Sequence, residues 1–198
     1  MKNYIIGIGG TGAKCLEHLL HCCSAGLGPE NLWAGMVDQD EANGNVSRTK
    51  ILLNKYTNLR NSLRNESKHD LASKSNLFKT HISSNTDAVW LPMKDANPTL
   101  EDLIKYNLLK PEVKGLMDCL YDPEELKLNL SEGFRARPNI GAAAILSTTA
   151  NEDDIFWSQI YKAIDAARGG EEVRVFIISS IFGGTGASGF PTIIKSEW

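Results

Sequence analysis

Two glycine-rich segments, far apart in the chain, are the residues best suited to chemistry in this sequence. The first reads GIGGTG from Gly7 and fits the GxGxxG pattern, and the second reads FGGTGASG from Phe182. Glycines in such loops let backbone N–H groups approach a phosphate closely at the positive N-terminal end of a helix. In the second segment, the hydroxyl groups of Thr185 and Ser188 are further donors. The two segments therefore predict a site for a phosphorylated ligand.

Two other kinds of phosphate-binding loop can be compared with these segments. The sequence argues against a Walker A loop, because neither segment ends in the GK[ST] sequence that places a lysine on the terminal phosphates, and Lys14 is misplaced for that role. A Rossmann-type dinucleotide site remains an alternative, since Gly7, Gly9 and Gly12 match its fingerprint and Asp38 ends the second predicted strand, where a ribose-binding acid belongs. The second segment argues against it, because a dinucleotide site needs no such loop after a late strand.

Apolar runs predict the strands that position the two segments. Residues 3–8 and 32–37 each predict a buried strand, and apolar residues at i, i+3, i+4 and i+7 between them predict a helix that ends near Gly26. This βαβ unit makes the two strands parallel. The β-branched run at 173–178 predicts a central parallel strand that leads directly into the second segment.

The remaining sequence predicts more helices and a surface segment. The expected elements are a helix over 47–63, a mobile surface segment over 61–76, a short strand at 88–91 and a helix over 152–168. Asn97-Pro98 and Asp122-Pro123 each predict a helix start, with Glu125 completing a capping pattern. We therefore predict one domain, 1–198, with a Rossmann-like three-layer α/β/α fold, a mainly parallel sheet and a largely helical insertion at about 43–130.

The motifs in this order resemble the tubulin/FtsZ superfamily. Its members open with a G-x-G-G-x-G strand-to-helix loop and later have a GGGTG[ST]G signature, which here read GIGGTGAK and FGGTGASGFP. Between them, VDQD at 37–40 looks like the family's loop after the second strand, and GFRARPNIG at 133–141 looks like its loop facing the terminal phosphate. Phe182 departs from the family pattern, which usually has glycine there.

The resemblance implies a guanine-nucleotide-binding site for GTP or GDP. Arg135 and Arg137 are candidates to bind phosphate oxygens, or are instead a solvated surface pair. Asp38 or Asp40 either acts through water bound to Mg2+, or only caps a strand end. The predicted nucleotide-binding residues are Gly9, Gly10, Thr11, Gly12, Asp38, Asp40, Arg137, Gly183, Gly184, Thr185, Gly186, Ala187 and Ser188.

The resemblance also sets expectations for activity and partners. It covers most of this chain but about half of a typical family member, because the base-contacting residues, the water-activating acidic loop and the second domain come after the position of Trp198. The resemblance therefore implies GTPase activity in a full-length protein and poor GTP hydrolysis by this chain alone. We expect the chain to associate with itself into filaments. Alternatively, it is a non-hydrolysing subunit that binds a protein partner through the insertion.

Composition and charge limit the classes of partner and the cellular location that we expect for this protein. The 198 residues have a net charge of -3, so no general attraction for nucleic acid is expected. The first residues resemble no signal peptide and no apolar run approaches the roughly 20 residues of a membrane span, which favours a cytoplasmic protein. Cys15, His18 and Cys22 are spaced for a metal site, but packing of small side chains is the preferred interpretation, with reduced cysteines and no metal.

Overall fold

The computed structural model describes residues 1–40, 44–65, 76–84, 88–93, 98–131, 133–148 and 154–197. They form a three-layer α/β structure of the Rossmann-like type, in which helices flank a parallel sheet of five strands. The elements in chain order are β1 (Lys2–Ile8), α1 (Gly9–Ser24), β2 (Asn31–Val37), α2 (Gly44–Asn65), β3 (His81–Ile82), β4 (Val89–Trp90), α3 (Leu100–Leu103), a 3-10 turn (Tyr106–Leu108), α4 (Pro111–Leu120), α5 (Pro123–Leu126), α6 (Pro138–Ser147), α7 (Ile155–Arg168), β5 (Val173–Ile178) and α8 (Gly184–Glu197).

The sheet is built around β1, which pairs in parallel with β2 on one side and with β5 on the other. The short strands β3 and β4 both pair in parallel with the far side of β2, near its beginning and its end. The parallel β1–α1–β2 unit is therefore confirmed. The chain runs outward from β1 through β2 and returns to the other side at β5, so a topological switch point lies between β1 and β5, where ligands bind in open α/β sheets.

Alternating side chains of β2 divide the core into two layers. Trp33 and Val37 pack into the larger core with the aromatic side chains of α7 and the buried leucines of the insertion. Leu32, Ala34 and Met36 face the other way, toward α1 and α2. Because successive side chains of a strand point to opposite faces, α1 and α2 cover one face of the sheet, and α6, α7 and the insertion cover the other.

Helix starts in the insertion follow the local chemistry of capping. Asp122 forms a complete capping box with Glu125 ahead of Pro123, which confirms the prediction for α5. Asn97, the cap predicted for the preceding helix, lies outside the described residues. The helix start predicted at Pro98 is wrong by two residues, because the helix begins at Leu100. There Thr99 is the cap, since its side chain accepts a hydrogen bond from the backbone N–H of Asp102, and α3 begins after it.

The central position predicted for the strand at 173–178 is wrong. Among the described strands, β5 pairs with β1 alone and so lies at the edge of the sheet. Phe176 is 52% exposed, and an apolar groove of about 510 Å3 runs beside the strand between Ile181 and Phe190. An apolar run indicates burial, but it does not reveal how many neighbours a strand has.

Other outcomes concern single elements. The strand predicted at 88–91 is present as β4, and the short β3 was not predicted. The predicted surface segment begins inside α2, which extends to Asn65, and its continuation at 66–75 lies outside the described residues. All four cysteines are free thiols. Among the described helices, none combines the length and the apolar composition needed to cross a bilayer.

Candidate phosphate-binding cleft

The two glycine segments meet at the carboxyl end of the sheet, at the switch point between β1 and β5. Helix α1 begins at Gly9 and helix α8 begins at Gly184. A Cβ atom placed on Gly9 would lie only 3.3 Å from the backbone nitrogen of Gly186, so the two segments are in direct contact. The N-terminal N–H groups of both helices therefore converge, and their dipoles add a positive potential there.

A cleft of about 190 Å3 opens between these helix starts. This volume is below the roughly 300–1,000 Å3 of pockets that enclose a whole small molecule. It suits a phosphate group or chain, with the remainder of a ligand outside. The lining residues are Ile8, Gly9, Gly10, Thr11, Asp38, Asp40, Gly133, Phe134, Arg135, Ser180, Gly183, Gly184, Thr185 and Gly186.

Close packing explains the glycines of the first segment. A Cβ on Gly12 would lie 2.6 Å from the carbonyl carbon of Gly7 and 2.8 Å from the carbonyl oxygen of Ile178. Helix α1 therefore rests directly on the ends of β1 and β5, as the last glycine of a dinucleotide fingerprint also allows. Gly9 has a φ of +72°, a conformation that favours glycine. Gly12 thus positions the helix and does not line the cleft.

Serine side chains within and just before the second segment hold it in place. The Ser179 hydroxyl donates to the carbonyl of Gly186 at 2.7 Å, and a Cβ on Gly186 would lie 2.5 Å from the carbonyl oxygen of Ser180. Ser188, predicted as a phosphate donor, instead donates to the carbonyl of Gly184 at 2.6 Å and is buried. Ala187 faces the apolar groove on the other side of α8. Neither of these two predicted residues lines the cleft.

Asp38 directly follows β2 and is hydrogen-bonded to the second glycine segment. Its carboxylate accepts hydrogen bonds from the Thr185 hydroxyl at 3.2 Å and from the backbone N–H of Asp40 at 3.3 Å. Burial raises the pKa of Asp38 from about 3.8 to about 6, and these two hydrogen bonds oppose the rise. A buried carboxylate beside a phosphate site raises the cost of binding an anion unless a cation lies between them.

Gln39 fixes the loop that contains Asp38 and Asp40. The Gln39 side-chain amide donates to the carbonyl of Met93 at 3.1 Å, and its oxygen accepts from the N–H of Met93 at 2.9 Å. This buried pair of hydrogen bonds attaches the loop to the segment after β4. Asp38 and Asp40, on either side of Gln39, both line the cleft.

The segment before α6 closes the cleft with a strained backbone. Arg135 and Ala136 have φ angles of 45° and 59°, left-handed conformations that cost roughly 1–3 kcal/mol each in residues other than glycine. The buried ring of Phe134 holds them, and its carbonyl accepts from the N–H of Arg137 at 2.8 Å. Helix α6 begins at Pro138, inside the stretch predicted to be a loop.

This backbone separates the two candidate arginines. Arg135 lines the cleft, whereas Arg137 lies outside its lining, with its Nε atom 3.3 Å from the carboxylate of Glu125. The geometry therefore favours Arg135 over Arg137 as the cation for a phosphate, and the role predicted for Arg137 stays a prediction. The physical reason is the pair of left-handed residues, which turns neighbouring side chains in different directions.

Asp38 and Asp40 fit a Mg2+ ion that is also coordinated by phosphate and water, but they do not form a site in which the protein alone holds a metal ion. Among the described residues, no group of three or more His, Cys, Asp or Glu side chains is arranged for a metal ion. Mg2+ keeps several waters and binds through one or two carboxylates together with substrate phosphates. Asp38 and Asp40 supply carboxylates of that number at the wall of the cleft.

The cleft also includes four residues that were not predicted. Gly133 and Phe134 belong to the quoted GFRARPNIG stretch, and their role was hidden because only its arginines carry charge. Ile8 lies inside the first glycine segment and Ser180 lies two residues before the second, and neither residue type by itself indicates a phosphate site. Comparison of the chain with protein families, with curated proteins and with solved structures finds no match, so function has to be argued from this cleft and the motifs that form it.

Proposed function

We propose that this chain binds the phosphates of a guanine nucleotide and belongs to a tubulin/FtsZ-like, nucleotide-dependent assembly protein. The observation that supports this is the contact between Gly9 and Gly186. Two segments about 170 residues apart in the sequence, each at the start of a helix, form adjoining walls of one cleft at the switch point of the sheet.

Each wall has a distinct task in this proposal. The first-turn N–H groups of α1 and α8 donate to phosphate oxygens, and Thr11 and Thr185 add hydroxyl groups at the wall. Arg135 supplies the positive charge of a side chain. Asp38 and Asp40 would hold Mg2+, which neutralises phosphate charge when it is bound. Thr185 keeps the carboxylate of Asp38 oriented by its hydrogen bond.

The identity of the base and the assembly role come from the resemblance of the four motifs. In that family a neighbouring subunit completes the hydrolytic site, so the 198-residue chain is expected to turn over GTP slowly by itself. Steady turnover by the isolated chain at rates of a complete GTPase, about 1 per second or faster, would contradict this part of the proposal.

One observation favours a second candidate, a dinucleotide site. Asp38 directly follows β2, the position of the ribose-binding acid in Rossmann domains. Its carboxylate, however, is engaged by Thr185 of the second segment, and the cleft is small for a dinucleotide. The two candidates differ in ligand, since stabilisation by NAD and none by GDP or GTP would favour the dinucleotide site.

The test measures nucleotide affinity in a matched pair of variants. Calorimetric titration with GDP and GTP, with and without Mg2+, is compared for the wild type, Arg135→Gln and Arg137→Gln. A charge-assisted hydrogen bond to phosphate is worth roughly 1.5–3 kcal/mol, so Arg135→Gln is expected to weaken binding at least about tenfold. Arg137→Gln removes the same charge outside the cleft and is expected to bind like the wild type. Equal losses in both variants would place the nucleotide elsewhere.

A further inference from the structure

The loop that contains Asp38 and Asp40 is joined to the segment after β4 through a side chain. At the carboxyl end of β2, the backbone N–H of Asp38 donates to the carbonyl of Trp90 at 3.3 Å. One residue later, the side-chain amide of Gln39 takes the place of the backbone and bonds both backbone polar groups of Met93, at 3.1 and 2.9 Å. A primary amide has both a donor and an acceptor, so it reproduces the hydrogen bonding of a peptide group. We call this pair of hydrogen bonds the Gln39–Met93 tie.

The Gln39–Met93 tie is buried and rests on the core of the insertion. Gln39 is 4% exposed, and Met93 is 7% exposed. Met93 belongs to the same buried cluster as Leu100 and Leu130 of the insertion. Water therefore competes little for the two hydrogen bonds, and either partner without them would be a buried unsatisfied group. The insertion is thus attached, through one side chain, to the wall of the cleft that contains the carboxylates.

Gln39 lies between two carboxylates that line the cleft, but it is not part of the lining itself. Asp38 and Asp40 both belong to the lining residues. Like charges repel each other, so the two carboxylates favour positions farther apart. The Gln39–Met93 tie fixes the residue between them through contacts outside the lining, and it thereby limits the freedom of both carboxylates to separate.

Binding of Mg2+ is the step that depends most on the placement of these carboxylates. Mg2+ demands near-ideal octahedral geometry. The direct phosphate contacts depend on other parts of the chain, because close glycine packing places α1 and the left-handed segment before α6 places Arg135. Residues that orient the ligands of a metal typically change its affinity by about 10–100-fold when they are replaced. Loss of the Gln39–Met93 tie therefore affects the contribution of Mg2+ and leaves the direct phosphate contacts in place.

We propose that Gln39 is a positioning residue: through the Gln39–Met93 tie, it holds Asp38 and Asp40 in the arrangement that binds Mg2+ together with the phosphates. This inference rests on the proposed function, since the phosphates are those of the nucleotide. It also gives the insertion a role in the site. The core of the insertion supports the metal side of the cleft without contributing a ligand to the metal.

The test measures how strongly Mg2+ tightens the binding of GDP. Calorimetric titrations with GDP, in a chelator and over a series of Mg2+ concentrations, are compared for the wild type, Gln39→Met and Gln159→Met. Methionine is close to glutamine in length and shape, but it cannot donate a hydrogen bond and accepts one only weakly. Gln39→Met is expected to need at least about tenfold more Mg2+ for the same tightening, and to bind GDP like the wild type in the chelator.

A matched control and a second variant keep the test decisive. Gln159→Met makes the same substitution on α7, outside the cleft lining, and is expected to behave like the wild type. Circular dichroism verifies that each variant is folded. Gln39→Asn keeps the amide but is one methylene shorter, so it breaks the geometry of the tie without placing a thioether in the core. It is expected to raise the Mg2+ requirement as well.

The outcomes distinguish a failure of this proposal from a failure of the proposed function. Equal losses of GDP affinity with and without Mg2+ in the Gln39 variants overturn the proposal, because the tie would then support the whole cleft. An unchanged Mg2+ requirement in these variants overturns it too, and so does a wild type whose GDP binding does not depend on Mg2+. In these three cases the proposed nucleotide binding still stands. A wild type that binds no GDP under any of the conditions refutes the proposed function and this proposal together.

Discussion

Burial of Asp38 predicts an unusual dependence of stability on pH. Burial raises the pKa of this carboxyl from about 3.8 to about 6. Between these values the folded protein holds a proton that the unfolded chain releases. The free energy of unfolding therefore falls as pH rises through this window, and the whole cost is present above pH 6. Since one unit of pKa is worth about 1.4 kcal/mol, the cost is on the order of 3 kcal/mol.

Asp38→Asn removes this cost without changing the size of the side chain. The amide oxygen still accepts from Thr185, but the group cannot ionise. We expect the variant to be more stable than the wild type by about 2–3 kcal/mol at pH 7, and the difference to vanish near pH 4. Urea unfolding in the presence of a chelator, at several pH values, measures both free energies.

This test is specific because it compares the wild type with Asp38→Asn at each pH. Every other ionisable group contributes equally to the wild type and to Asp38→Asn, so their difference isolates one carboxyl. Asp40→Asn makes the same charge change in the same loop at a less buried position, and is expected to relieve less desolvation. If the stabilisation by Asp38→Asn is the same at pH 4 and pH 7, the buried carboxylate does not impose the cost argued here.

Three further predictions concern packing, capping and thiol exposure. Gly12→Ala is expected to lose about 1–3 kcal/mol in urea unfolding, because its Cβ would lie 2.6 Å from the carbonyl carbon of Gly7. Gly183→Ala, where a Cβ meets nothing within 4 Å, is expected to stay within about 0.5 kcal/mol of the wild type. Asp122→Ala is expected to cost about 1 kcal/mol and to speed hydrogen exchange in α5. In a thiol titration Cys23, whose pKa is raised by burial, is expected to react only on unfolding, after the exposed Cys15, Cys22 and Cys119.

Local patterns were sufficient to predict the part of the fold that forms the cleft. Strand β1, helix α1 and strand β2 follow from apolar spacing and from glycines whose positions are set by close backbone approach. The capping box at Asp122 depends on residues three apart and needs no tertiary information. Both glycine segments were identified for the same reason, because each follows a strand and begins a helix.

Long-range geometry was needed for the remaining features. Arg135 and Arg137 are alike by type, and only the left-handed backbone between them decides which one reaches the cleft. The Ser188 hydroxyl has an acceptor within its own helix, the carbonyl of Gly184, and this local bond removes it from the cleft. The edge position of β5 depends on which strands lie beside it, and its own six residues contain no such information.

Strand β5 links the cleft to the edge of the sheet. It ends at Ile178, and the segment that forms one wall of the cleft follows within a few residues. A strand hydrogen-bonded along one side opens more easily than one held on both sides. A polypeptide segment that added to the side of β5 that pairs with none of the described strands would therefore also stabilise that wall. By thermodynamic linkage, a segment that raised the affinity of the cleft for a phosphate in this way would itself bind more tightly, by the same factor, when the phosphate is present.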